Sequence, residues 1–253
     1  RAHAENEGKG HPLLAAVMLD KLQHWLGTDS EHGRHLIVIV IAVFLDMLAV
    51  SFFVPLLPFY WKQLGVKPEL LGFVSSVYQL SQIVSGVVLG YVGDHILGRK
   101  GVMLLSFVGS AVSYALAATS YKAGWVWGVV LSRVIVGLVK QTMTISRAAI
   151  TSMTTEEERI SVLSHLRASL TFAFMIGPTI GGLISKWFDK SMPAYIASGI
   201  FVLNSVVLYF YLPEDKDAQK AAHVSDGEGK ESEKDVTKAE DDKQKPASQG
   251  RGG

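Results

Sequence analysis

Three ionisable side chains stand where an apolar chain would be expected to have none. Asp46 falls inside "FLDMLAVSFFVPLLP", and Arg133 and Lys140 inside "VLSRVIVGLVK", about two helical turns apart on one face. A charge at the centre of a bilayer costs roughly 2.5–3.5 kcal/mol on insertion scales, so such residues face a protein interior or water and find partners. Asp46 and Arg133 make the expected pair. Either the pair fastens two helices together, or Asp46 exchanges a proton or meets a solute while Arg133 sets its ionisation, so that protonation releases the arginine. Lys140 either shares that interior or snorkels to the cytoplasmic interface.

A second concentration of chemistry lies in "GYVGDHILGRKGVMLLS", residues 90–106. Asp94, Arg99 and Lys100 crowd together there with Gly90, Gly93 and Gly98, so opposite charges and backbone freedom share one short link between apolar runs. A third is "GPTIGG", which puts Gly177, Pro178, Gly181 and Gly182 within two turns. Proline kinks a helix and small residues let helices approach closely, so this segment is a tight packing surface or a hinge. Tyr78, Gln79 and Gln82, with Gln141 and Thr142, are polar residues in apolar surroundings that either line a cavity or bond between helices.

These residues need long elements to hold them. Of the 253 residues, 49% are apolar, and they are gathered into six runs at about 36–60, 70–92, 102–121, 124–146, 162–185 and 193–212. A helix crosses a hydrocarbon core about 30 Å thick in about 20 residues, and several of the runs reach that length. The stretch "GVMLLSFVGSAVSYALAATSY" (101–121) has no charged residue at any angle and so offers no face to water. The runs therefore predict an all-α membrane protein of six transmembrane helices, each turning back beside its predecessor. Pro55 and Pro58 mark a kink or taper at the outer end of the first.

Polar segments flank this bundle. Residues 1–35 form a leader in which "HPLLAAVMLDKLQHWL" (11–26) has helical apolar spacing, giving an interfacial amphipathic helix or a flexible tail with a chance apolar cluster. Residues 213–253 carry eleven acidic and eight basic side chains and no aromatic one, too little apolar surface to offset ordering entropy, so a disordered cytoplasmic linker or tail is expected. Six crossings put both ends on one side, and the basic leader and tail assign that side to the cytoplasm.

Several function classes drop out. With no cysteine there are neither disulfides nor thiolate metal sites. His24, His32, His35, His95 and His165 lack metal-ligand spacing, and the glycine-rich stretches lie within apolar runs, unlike phosphate loops between strand and helix. No basic patch interleaved with aromatics suggests nucleic acid. The expectation is a non-enzyme without cofactor or metal, whose partners are the lipid bilayer and a small organic solute. A six-span scaffold, receptor or channel subunit is the rival from another class, although no filter-like stretch lies between runs five and six.

The motifs together resemble the major facilitator superfamily of secondary transporters. Gly90, Asp94, Gly98, Arg99 and Lys100 resemble its signature G-x-x-x-D-x-x-G-R-[KR] with one residue added, since His95, Ile96 and Leu97 stand between Asp94 and Gly98. Asp46 with the residues after it is similar to the first-span motif of the drug:proton antiporter branch. Arg133 with Gly137 resembles the R-x-x-x-G of the fourth span, and "GPTIGG" the antiporter motif of the fifth. "KQTMTISRA" followed by "EEER" is similar to the major facilitator superfamily domain-containing protein 9 group. The resemblance implies six helices built as two inverted three-helix repeats, forming the N-terminal half of a twelve-span fold whose solute site lies between halves. It implies transport by alternating access, coupled to protons through Asp46, with Asp94 and Arg99 at a cytoplasmic gate and Asp94 capping a helix of the other half. It also implies a missing partner: a C-terminal six-span half that a fragment or short isoform lacks, or a second copy in a homodimeric carrier.

Overall fold

The computed structural model describes Lys21 and residues 33–212; the side chains of Pro68 and Asp94, the leader's expected interfacial helix and the expected disordered segment 213–253 lie outside the described residues. Helix α1 (Gly33–Phe53) passes through a 3-10 turn, Val54–Leu56, into the short α2 (Leu57–Gln63). Pro55 and Pro58 each sit in the opening positions of the turn and of α2, where the missing N–H costs nothing. There follow α3 (Pro68–Val92), a π-turn Gly93–Leu97, α4 (Gly98–Lys122), α5 (Val126–Val139), α6 (Thr142–Met153), α7 (Glu156–Trp187) and α8 (Met192–Tyr211).

Among the described residues, five helical stretches are long and apolar enough to cross a membrane: 33–63, 69–122, 126–153, 156–187 and 192–211. The expected second and third runs are joined through the π-turn into one stretch of 54 residues. The expected fourth run is not one helix, for it breaks between α5 and α6 at Lys140 and Gln141. Neither proline nor glycine stands at the break. Backbone and side-chain bonds from neighbouring helices, given below, hold it instead.

Helix α1 packs on α7 and α8, α4 packs on α5 and α8, and α3 packs on α5. The core between α1, α4 and α8 is aromatic. Phe53 meets Tyr60 and Tyr114 edge-on at 5.2 Å each, and Tyr114 meets Phe201 at 5.0 Å. Such pairs add about 0.5–1.5 kcal/mol each beyond the area they bury. Large apolar side chains are equally common outside, with Phe73, Leu80, Val87 and Tyr91 exposed on α3 and Val202, Val206 and Phe210 on α8. A bundle apolar within and without is suited to lipid.

Helix α7 starts from a capping box. Thr155 accepts the Glu158 N–H at 3.4 Å, and the Glu158 carboxylate accepts the Thr155 N–H at 3.1 Å. Thr155→Ala should lower stability by about 1 kcal/mol, read as an earlier thermal unfolding transition in detergent. Between α7 and α8 the Asp189 carboxylate accepts the Ser191 hydroxyl at 2.8 Å, which holds it below the usual carboxylate range, and it lies 3.7 Å from Lys122.

Candidate functional site: a buried ion pair beside a polar cavity

Asp46 is completely buried in the middle of α1. Its partner is Lys140, whose Nζ donates to Oδ1 at 2.5 Å and lies 4.8 Å from the centre of the Phe201 ring. The second carboxylate oxygen, Oδ2, has no hydrogen-bond partner. Lys140 reaches Asp46 from the break between α5 and α6. There the Gln141 N–H donates to Ser106 Oγ at 3.1 Å, the Gln141 side chain donates to the Gln82 carbonyl at 3.0 Å, and the Ser85 hydroxyl donates to the Leu138 carbonyl. Side chains of α3 and α4 thus take up backbone groups that the interruption frees, the condition for broken helices at membrane depth.

This corrects the expected pairing. Arg133 does not meet Asp46: its guanidinium lies over the Phe53 ring at 4.8 Å and the Tyr114 ring at 5.1 Å. Phe53 is seven residues after Asp46 on α1, and Arg133 seven before Lys140 on the adjoining strand of sequence. The two contacts are therefore rungs about 10 Å apart on antiparallel segments. Chemistry sorts the cations between them. A planar, weakly hydrated guanidinium stacks well on rings, while a compact ammonium is better matched to one carboxylate oxygen. The snorkelling alternative for Lys140 is likewise set aside, because its side chain is 7% exposed and turned inward.

Beside the pair lies a cavity of about 480 Å³. Its polar wall is Tyr78, Gln79, Gln82, Lys140, Gln141 and Thr144, and its apolar wall includes Met47, Val50 and Phe174. Four of the five expected lining residues border it. Thr142 does not: it is buried, with its hydroxyl 2.9 Å from Ser106 Oγ. Thr144, which the sequence does not single out, joins this wall with its hydroxyl donating to Gln141 Oε1 at 3.2 Å.

At the π-turn, Gly98 has φ +68° and ψ 167°, a geometry that L side chains rarely adopt. Arg99 donates to Ser152 Oγ at the end of α6, and Lys100 Nζ donates to the Tyr209 carbonyl at 2.9 Å and lies 5.4 Å from that ring's centre. A Cβ on Gly90 would meet nothing within 4 Å. Along α7, Gly177 and Gly181 face α1, where a Cβ would come within 1.7 Å of Ser51 Oγ and 2.4 Å of the Phe52 carbonyl oxygen; Gly182 faces open space, and Pro178 sits inside the helix.

Comparison with known proteins bears on what such a bundle is. The chain is 29% identical over 193 residues to the class E tetracycline resistance protein of Escherichia coli, covering 75% of this chain and 46% of that one. It is 27% identical over 224 residues to major facilitator superfamily domain-containing protein 10 of Mus musculus, covering 76% and 47%. The crystal structure of the human organic anion transporter MFSD10 (TETRAN) has the same fold, with a TM-score of 0.61 at 23% identity over 74% of this chain and 49% of that one. The chain spans about half the length of the relatives it matches. The model of the Major Facilitator Superfamily matches residues 39–246, which takes in every membrane-length helical stretch but the first few residues of α1. This integral membrane chain, with ions buried among its helices, belongs to the Major Facilitator Superfamily of transporters.

Proposed function

We propose that the chain is the N-terminal six-span half of a secondary transporter that moves a small organic solute by alternating access, with proton coupling at Asp46. The observation that carries this reading is the buried Asp46–Lys140 pair beside a polar cavity, since a membrane protein keeps such charges inside mainly where solute or protons pass. The 54-residue stretch supports two crossings rather than one, because it would measure about 80 Å as a straight helix and Gly98 departs from helical geometry in its middle.

The packing pattern supports two inverted three-helix repeats. Counting the crossings 1 to 6 as α1, α3, α4, α5 with α6, α7 and α8, the closest pairs are 1 with 5, 2 with 4, 3 with 6, 3 with 4 and 1 with 6. Exchanging 1 with 4, 2 with 5 and 3 with 6 returns the same set. Residues 1–35, 36–212 and 213–253 then divide as leader, bundle and linker, with both ends in the cytoplasm. Asp94, Arg99 and Lys100 form the gate, Gly177, Pro178, Gly181 and Gly182 the fifth-span contact, and a further six spans or a second copy supplies the opposing wall.

The names of the relatives point to drugs and organic anions as the solute class. Uptake of tetracycline and of an anionic fluorescent dye into vesicles holding the full-length protein tests the reading under an imposed proton gradient. Asp46→Asn should reduce the gradient-driven component at least roughly tenfold while leaving exchange between equal pH values measurable. Unchanged gradient-driven uptake would remove Asp46 from the coupling.

A further inference from the structure

We infer that Phe201 is a positioning residue: the face of its ring is a fixed second seat for the Lys140 ammonium and keeps that cation in place when the Asp46 carboxylate does not. The seat exists at equilibrium, and only its consequence for transport rests on the transporter reading. An ammonium has three N–H groups to satisfy. Among the described residues Lys140 Nζ has one hydrogen-bond acceptor, Asp46 Oδ1, and no second carboxylate within ion-pair reach. The ammonium also lies over the Phe201 ring, whose centre is 4.8 Å from Nζ. A ring face attracts a cation, more strongly where water is excluded, and here both Phe201 and Asp46 are completely buried.

A buried phenylalanine is ordinary in a membrane bundle, but this one is the only aromatic among the buried residues of α8, and it is held from both sides. One turn before it, the Ser198 hydroxyl donates to the Ala111 carbonyl of α4 at 2.8 Å; one turn after it, the Asn204 amide donates to the Ala42 carbonyl of α1 at 3.0 Å. His35 against Tyr211 and Ala42 against Asn204 pair α1 and α8 antiparallel. Ala42 lies one turn before Asp46, so the Asn204 bond brings Phe201 level with the carboxylate. Tyr114 closes the edge of the ring at 5.0 Å. A ring fixed in this way cannot follow the ammonium; the ammonium must come to it.

The neighbouring rings are already in use, because Arg133 lies over Phe53 and Tyr114, which leaves Phe201 to the lysine. Phe201 does not border the cavity, so it acts on a solute only through Lys140. Whenever the bond between Nζ and Asp46 opens, a cation without the ring would stand unpaired in a low-dielectric interior. The ring face lowers that penalty and holds the ammonium within reach of its carboxylate.

Replacing Phe201 in the full-length protein by 4-fluoro-, 3,5-difluoro- and 3,4,5-trifluorophenylalanine tests this, since each fluorine drains negative charge from the ring face and barely alters its shape. The melting temperature in one detergent should fall stepwise with fluorine number. The fall should be steeper in an Asp46→Asn background, where the ring holds the ammonium alone, and absent in the double variant Asp46→Asn with Lys140→Met, where there is no ammonium to hold. The same series at Phe107, which is equally buried and has no cation over its ring among the described residues, should be flat. Gradient-driven tetracycline uptake should fall roughly tenfold from phenylalanine to the trifluoro ring at position 201, with KM unchanged. A flat series at 201, a slope no steeper in the Asp46→Asn background, a slope that persists in the double variant, or undiminished uptake by the trifluoro protein would each overturn the inference. The expected slopes in melting temperature, together with no uptake by the unmodified protein, would sink the transporter reading alone.

Discussion

Lys140→Met should unfold this protein more readily than any other single change among its ionisable residues. The substitution leaves the Asp46 carboxylate wholly buried without a counter-charge, and breaking a buried pair from one side costs about 3–5 kcal/mol. The double variant Asp46→Asn with Lys140→Met should recover most of that loss, since neither group is then stranded. Arg133→Met supplies the contrast. Its guanidinium lies over two rings, its Nε donates to Ser132 Oγ at 3.4 Å and its Nη2 has no hydrogen bond, so removing it forfeits about 2 kcal/mol and strands no anion. Thermal unfolding of the three variants in one detergent checks the order. A double variant as unstable as Lys140→Met would show that packing around the lysine stem matters more than the charge.

Gly181→Ala should be the second severe change. The added methyl would stand 2.4 Å from the Phe52 carbonyl oxygen and 3.0 Å from its Cα. Backbone atoms cannot rotate aside, so α7 would have to draw away from α1 along their whole contact, at a cost near or above the usual 1–3 kcal/mol of overpacking. At Gly177 the obstacle is the Ser51 hydroxyl, which could turn, but only by giving up its bonds to the Leu48 and Ala173 carbonyls at 2.7 and 3.0 Å. Gly182→Ala, by contrast, meets nothing within 4 Å and should stabilise the helix by up to about 1 kcal/mol. Folded yield and melting temperature of the alanine variants at 181 and 182 should therefore move in opposite directions.

The helices and the polar wall of the cavity were largely legible in the residues. Long apolar runs leave few options, and Tyr78, Gln79 and Gln82 announced themselves as polar groups in an apolar stretch. The partner of Asp46 was not legible. Arg133 and Lys140 lie on one face two turns apart, and choosing between them requires the sliding register of α1 against α5, which neither sequence contains. The break that aims Lys140 was hidden for a related reason. Nothing local stops the helix at Lys140; Ser85 and Ser106, more than thirty residues away in sequence, hold the interruption open. Thr142 stands off this cavity with its hydroxyl 2.9 Å from Ser106 Oγ, a contact visible only once the helices are side by side.

The sequence separation of 94 between Asp46 and Lys140 also sets a timetable for biogenesis. At a synthesis rate of 5–20 residues per second, the ribosome needs about 5–20 s to make the lysine after the aspartate. Through that interval the first helix must enter the bilayer without its counter-ion, at the penalty of an isolated acid among lipid tails or with a borrowed proton. Insertion of the opening segment is thus the vulnerable moment of assembly, and arrival of the helix bearing Lys140 is what locks it in place.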